Sequence, residues 1–254
     1  MHTDLPLSRK RIVVTRTEDQ SESVAATLKA LGAAVLVVPT IRIEPVELTR
    51  EEVKRISAYC EYDIVIFTSY NCVKNFFRHA PARDPGGKRP VIVAIGKKTA
   101  EALSDIKLEP DIVPSKFSSD ELIKGITNLD WRGKRVLIPR GSISGNEIKE
   151  FVESSGGIAD DVIVYRTVIN RLLDPELKDE IASGKFDTVA FFSPSQARNF
   201  VSIFGPDVLV GKEIAAIGPT TRNAIEEMGL HVDVIPGNAT TEELIASLIE
   251  HEKA

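Results

Sequence analysis

The chain repeats itself. Residues 94–114 read AIGKKTAEALSDIKLEPDIVP and residues 216–236 read AIGPTTRNAIEEMGLHVDVIP. One constant step aligns them without a gap, pairing Gly96 with Gly218, Thr99 with Thr221, Leu108 with Leu230, Asp111 with Asp233 and Pro114 with Pro236. The match continues into Glu121-Leu122-Ile123 and Glu243-Leu244-Ile245. Upstream, a slightly longer step pairs Arg11 with Arg135, Arg16 with Arg140, Gly32 with Gly156, Asp63 with Asp187, Ser69 with Ser193 and Phe76 with Phe200. The loop at residues 201–213 absorbs the difference. A unit of roughly 120 residues thus occurs twice, enough for two domains of ordinary size. Two such units imply two lobes and a site shared between them.

Each unit alternates strands with helices. Residues 21–31 carry apolar side chains at helical spacing, and Gly32 stops them. Residues 33–38 are a second strand, 49–60 a helix, 62–67 (YDIVIF) a buried strand, 91–95 another strand, and 120–126 a helix. Residues 81–90 form a surface loop. The segment after Gly96, like that after Gly218, predicts a helix and a short strand ending at proline. Residues 39–45 (PTIRIEP) alternate apolar and polar between prolines, as does a connector, and residues 163–169 (IVYRTVI) are their partner in the repeat. Alternation of this kind builds parallel sheets with helices on both faces, and IVIF and VAFF are apolar enough for burial on both sides.

The strand-to-helix turns share one chemical character. They are Thr15-Arg16, Thr68-Ser69-Tyr70-Asn71, Gly96-Lys97-Lys98-Thr99, Pro139-Arg140-Gly141-Ser142, Ser193-Pro194-Ser195 and Gly218-Pro219-Thr220-Thr221-Arg222. Hydroxyls, glycines and cations recur, and Asp is absent. Free N–H groups at helix starts beside cations favour anions. Ser and Thr at such places also serve simply as helix caps, with Ser69 or Asn71 the candidate cap of its helix. The net charge is −5, so a protein that binds an anion must concentrate its cations locally, while its acids (Glu51, Glu52, Glu226, Glu227) sit mostly on helices. Tyr165, in an apolar connector strand, is either a core residue or a proton donor facing the site.

Several functions are excluded or unsupported. The negative balance argues against general nucleic-acid binding. No apolar run approaches the roughly 20 residues that span a bilayer, and no apolar stretch precedes the basic cluster near the N-terminus, so a cytoplasmic protein without membrane contact is expected. Neither GxGxxG after the first strand nor GxxxxGK[ST] occurs. Cys60, Cys72 and four scattered histidines form no metal pattern, so no metal site is expected.

Taken together, FFSPSQARNFV, AAIGPTTRNAIEEMGL, VYRTV, IPRG, VTR and FTSYN, in this order along essentially the whole chain, resemble the uroporphyrinogen-III synthase family. The resemblance implies two flavodoxin-like, doubly wound α/β domains joined by a two-stranded linker ladder. Their opening βαβ element is exchanged, so residues 1–38 join 171–254, residues 46–163 form the second domain, and 39–45 and 164–170 are the linkers. It implies a monomer that cyclises the linear tetrapyrrole hydroxymethylbilane, a polycarboxylate, with loss of water and inversion of the last pyrrole ring, and without cofactor. By this resemblance Tyr165 matches the family's cleft tyrosine and is the candidate for assisting hydroxyl loss. It further implies that Thr220 and Thr221, Ser193 and Ser195, and by position Arg16, Thr68, Ser69, Asn71, Gly96, Arg140 and Gly218, are the substrate-binding residues. A reading from another class is a two-lobed protein that closes on a small anion without chemistry.

Overall fold

The short strands are apolar on both sides because both sides are covered. In Ile64–Phe67, Val65 and Phe67 enter one core while Ile64 and Ile66 enter the other. In Thr188–Phe191, Val189 and Phe191 pack on one side and Ala190 on the other. The computed structural model describes residues 5–81, 89–114, 125–127 and 129–253. It divides into two compact units, Met1–Arg42 with Val168–Ala254, and Ile43–Thr167.

The first unit holds β1 (Arg11–Val14), α1 (Glu18–Ala30) and β2 (Ala34–Val37). It also holds α6 (Pro175–Ala182), β8 (Thr188–Phe191), α7 (Pro194–Phe204), β9 (Glu213–Ala216), α8 (Pro219–Glu226) and α9 (Thr241–His251). Its sheet runs β2-β1-β8-β9, every pair parallel. The second unit holds α2 (Arg50–Ser57), β4 (Ile64–Phe67), α3 (Tyr70–Phe76), β5 (Val91–Ala94), α4 (Lys97–Asp105), β6 (Arg135–Gly141) and α5 (Glu147–Ser154). With β3 (Ile41–Pro45) and β7 (Ile158–Ile169), its sheet runs β3-β7-β6-β4-β5.

The pairing does not follow the order of the two repeats. β1 lies beside β8, from the second copy, and β4 lies beside β6. Repeat-matched aspartates tie these joins. The Asp187 carboxylate accepts the Arg11 N–H at 2.8 Å, and the Asp63 carboxylate accepts the Arg135 N–H at 2.9 Å.

Two expectations need correcting. The helix expected over 49–60 ends at Ser57 and is followed by a 3-10 turn, Tyr59–Glu61. There the chain tightens so that Tyr59 reaches Phe76 and Phe77 edge-on. The short strands ending at Pro114 and Pro236 shrink to single bridges, Val93 to Ile112 and Ala215 to Val234. The aspartates explain this: Asp111 and Asp233 place a carboxylate oxygen 2.7 and 2.8 Å from the N–H of Ile92 and Ile214, so a side chain takes the bond a longer ladder would make. The helix expected at 120–126 and the loop at 81–90 fall largely outside the described residues. Among the described residues no helix is long and apolar enough to cross a membrane.

Candidate active site

Parallel strands end at one edge of a sheet, and ligands of α/β proteins bind beyond that carboxyl edge. Thr68 and Ser69 follow β4, Gly96 follows β5, Arg140 and Gly141 end β6, and Tyr165 on β7 pairs with Gly141. The sheet of the second unit therefore gathers this set at one edge.

Ser69 caps α3 with extended backbone, accepting the Cys72 N–H at 3.1 Å. Its hydroxyl donates to Cys72 Sγ at 3.3 Å, and Thr68 Oγ1 lies 3.1 Å from the same sulfur. The Tyr165 hydroxyl is 3.3 Å from Ser69 Oγ. With the Ser69 proton on the sulfur, the remaining Ser69 lone pair accepts from the phenol. Tyr165 is 8% exposed, and burial pushes its phenol pKa upward, with Cys72 adding to the shift and the Ser69 bond opposing it. Burial likewise raises the Cys72 thiol, against the hydrogen bonds from Ser69 and Thr68. Both groups are neutral near pH 7, so the phenol holds a proton that it can donate. Asn71 contributes a backbone carbonyl that accepts from the Asn75 side chain at 2.9 Å.

Arg140 is paired with an acid of its own unit. Its Nε donates to Asp161 at 2.7 Å and a terminal N–H to the Ser144 carbonyl at 3.0 Å, while Lys149 takes the other Asp161 oxygen at 2.8 Å. Burial works against the Asp161 charge, yet the bonds from Lys149 and Arg140 outweigh it and hold the carboxyl below its ordinary pKa. The turns lack Asp, but the neighbouring strand β7 supplies one.

The first unit builds a different set at the carboxyl edge of its own sheet. Thr15 Oγ1, buried, lies 2.8 Å from the Ala190 carbonyl and 2.9 Å from Gln196 Oε1. The same Gln196 oxygen accepts the Phe192 N–H at 2.9 Å, which fixes the orientation of the amide. The next residue, Arg16, lays its guanidinium 4.1 Å over the Phe192 ring and reaches Thr241 Oγ1 at 3.4 Å. Burial lowers the Arg16 pKa and Glu242 raises it, with burial the larger effect; an arginine stays charged regardless. Ser193 caps α7, accepting the Gln196 N–H at 3.3 Å, with Ser195 Oγ 3.0 Å away. Thr220 is exposed at the start of α8, whereas Thr221 is 3% exposed, as is its repeat partner Thr99.

Gly96 and Gly218 match in the repeat but are glycine for different reasons. Gly96 has φ +85°, a left-handed backbone that disfavours a side chain. Gly218 is extended at φ 178°, as expected before a proline, and its hydrogen faces Ala239, which a Cβ would meet at 3.0 Å. Neither α4 nor α8 has a side-chain cap, so the N–H groups of their first turns have no capping side chain.

Sequence reasoning named the turns but passed over Cys72, Gln196, Asp161 and the Phe192 ring. Cys72 and Gln196 occupy one position of the repeat, three residues after Ser69 and Ser193. That correspondence was the available signal for both.

Fold and site define the class: a parallel α/β protein whose carboxyl-edge turns offer hydroxyls, uncapped helix N–H groups and a phenol. The family model described as uroporphyrinogen-III synthase HemD matches residues 22–246. The chain is 32% identical over 233 residues to a uroporphyrinogen-III synthase of Chlorobaculum parvum, covering 89% of this chain and 93% of that one. It is 31% identical over 250 residues to a putative uroporphyrinogen-III synthase of Methanothermobacter thermautotrophicus, covering 93% and 96%. Crystal structures of uroporphyrinogen III synthases share the fold. One is a Thermus thermophilus mutant (TM-score 0.57, 18% identity, 96% of this chain and 99% of that one), another the Helicobacter pylori protein (0.55, 16%, 95% and 99%). The chain belongs to the uroporphyrinogen-III synthase family. These matches do not favour the reading as an anion-binding protein without chemistry.

Proposed function

We propose that this chain cyclises hydroxymethylbilane to uroporphyrinogen III, with loss of water and inversion of the last pyrrole ring. The family match across residues 22–246 carries this reading. The departing hydroxyl needs a proton, and Tyr165 is the donor: a neutral phenol at a sheet's carboxyl edge, backed by Ser69. For Tyr165 to act, its bond to Ser69 exchanges for one to substrate; the phenolate regains its proton from the substrate, which loses one as the new ring bond forms, so the cycle closes with water as the only by-product. Such acid catalysis contributes roughly 10²–10⁴-fold. Coiling the chain so that its ends meet supplies more, on the order of 7–11 kcal/mol.

Each unit offers groups for substrate carboxylates at the carboxyl edge of its own sheet: Arg16, Ser193, Ser195, Gly218, Thr220 and Thr221 in one, Thr68, Ser69, Asn71, Gly96 and Arg140 in the other. Arg16, which has no carboxylate partner within ion-pair distance among the described residues, is the stronger cationic anchor. Each unit is read as flavodoxin-like. Adding the bridges at Val234 and Ile112, the sheets run β2-β1-β8-β9-Val234 and β7-β6-β4-β5-Ile112, the same order in repeat-matched strands with the opening βαβ exchanged. Residues 1–38 with 171–254, and residues 46–163, are then the domains, and 39–45 with 164–170 the linkers. The protein works as a cytoplasmic monomer.

The test is product analysis. Fresh hydroxymethylbilane is incubated with the protein and the oxidised porphyrin isomers are separated. Isomer III above the spontaneous background is expected; isomer I alone, at the spontaneous rate, overturns the assignment. Tyr165→Phe then slows turnover with little change in stability.

A further inference from the structure

The phenol of Tyr165 does not reach the carboxyl edge by strand geometry alone. β6 and β7 pair in regular register from Arg135 with Ile158 to Arg140 with Ile163, and then the register slips: Gly141 pairs with Tyr165, and Val164 has no partner on β6. An extra residue in one strand bends it and re-aims the side chains that follow. After the slip the ring of Tyr165 lies across Gly141. A Cβ built there would stand 2.5 Å from Cζ and 2.7 Å from the hydroxyl oxygen. The Ser142 N–H donates to the Tyr165 carbonyl at 3.0 Å and locks the shifted register. No left-handed φ is recorded at Gly141, and the nearest atoms a side chain there would meet all belong to the ring.

We infer that the β7 bulge at Val164 and the bare Cα of Gly141 form a positioning device that sets the height of the Tyr165 hydroxyl against Ser69. Gly141 touches no reacting atom in this scheme; it acts through Tyr165. This rests on the proposed role of Tyr165, and the tests separate the two. In Gly141→Ala the ring must move by more than the few tenths of an ångström that packing forgives, and misplacement on the order of 1 Å costs about 10²-fold in rate.

Three variants are compared: Gly141→Ala, Tyr165→Phe, and both together. The assay reads kcat and KM, and ultraviolet difference titration against Tyr165→Phe isolates the Tyr165 phenol. The expected result is a large loss of kcat in Gly141→Ala with KM moved much less, a phenol that titrates at lower pH as its ring leaves cover, and little further loss in the double variant. If Tyr165→Phe turns over normally, the catalytic role fails. If Tyr165→Phe is slow while Gly141→Ala matches the parent in kcat and titration, the positioning device fails and the catalytic role stands. Should Gly141→Ala not fold, Tyr165→Leu with and without Gly141→Ala decides. Equal melting temperatures support the ring as the sole obstacle, and a further drop overturns it.

Discussion

Changing Asp161 to asparagine removes a charge that two cations share. Arg140 and Asp161 are each 18% exposed in their side chains, with Nε and carboxylate 2.7 Å apart. Lys149, more open at 36%, holds the second oxygen at 2.8 Å. A fully exposed pair contributes about 0–1 kcal/mol, and a hydrogen bond to a charged group roughly 1.5–3 kcal/mol. The geometry lies between these limits. Asparagine keeps one acceptor oxygen but turns an amide N–H₂ toward a cation, so a loss of about 1–2 kcal/mol at pH 7 is expected. At about 2–4 °C per kcal/mol for a chain of this size, the melting temperature falls by about 2–8 °C.

The pH dependence gives the sharper test. Asp161 has its folded pKa held below the unfolded value of about 3.9. Its stabilisation is therefore complete above that value and lost as pH falls through the folded pKa. Urea unfolding of parent and variant is followed from neutral pH to about pH 3. The gap in unfolding free energy should hold constant down to about pH 5 and close below about pH 4. No gap at pH 7, or a gap that persists undiminished at the acid end, refutes the reasoning. In turnover, the released Arg140 loses its orientation, and KM should rise more than kcat falls.

Other perturbations reach other parts of the argument. Arg16→Leu removes the stacked cation of the first unit, and KM for the tetrapyrrole should rise about 10- to 100-fold, as loss of one charged hydrogen bond predicts; steady-state kinetics reads it. Phe200→Ala empties a fully buried site between Phe191 and Phe204, centroids 5.6 and 4.8 Å away, and should cost about 3–5 kcal/mol in urea unfolding. Lys10 bonds Glu252 and, at 2.9 Å, Glu213; burial opposes its charge, but these partners raise its pKa above 10.5. Its contribution is complete below 10.5 and lost as pH rises through the folded pKa, so Lys10→Met should be less stable than the parent at pH 7, with the gap closing in strong alkali.

Much of this protein is local, and so was legible. Apolar runs such as IVIF and TVAF, the glycines that end helices, and Ser69 and Ser193 as caps each depend on residues a few positions apart. The step between the repeats marked every turn that reaches a sheet's carboxyl edge. It also matched Asp63 with Asp187 and Asp111 with Asp233, although their service as backbone acceptors emerged only in three dimensions.

What periodicity alone left open has one physical cause: partners distant in sequence. A strand pattern shows that β1 needs neighbours on both edges, and β4 or β8 would satisfy it equally. Only assembly sets β1 beside β8. The turns looked free of acid, yet Asp161, on a strand laid alongside, neutralises Arg140. Tyr165 read as core or, on a connector, as acid. A one-residue slip in register and an absent Cβ at Gly141 bring its hydroxyl to Ser69, and neither leaves a mark in the spacing of the chain.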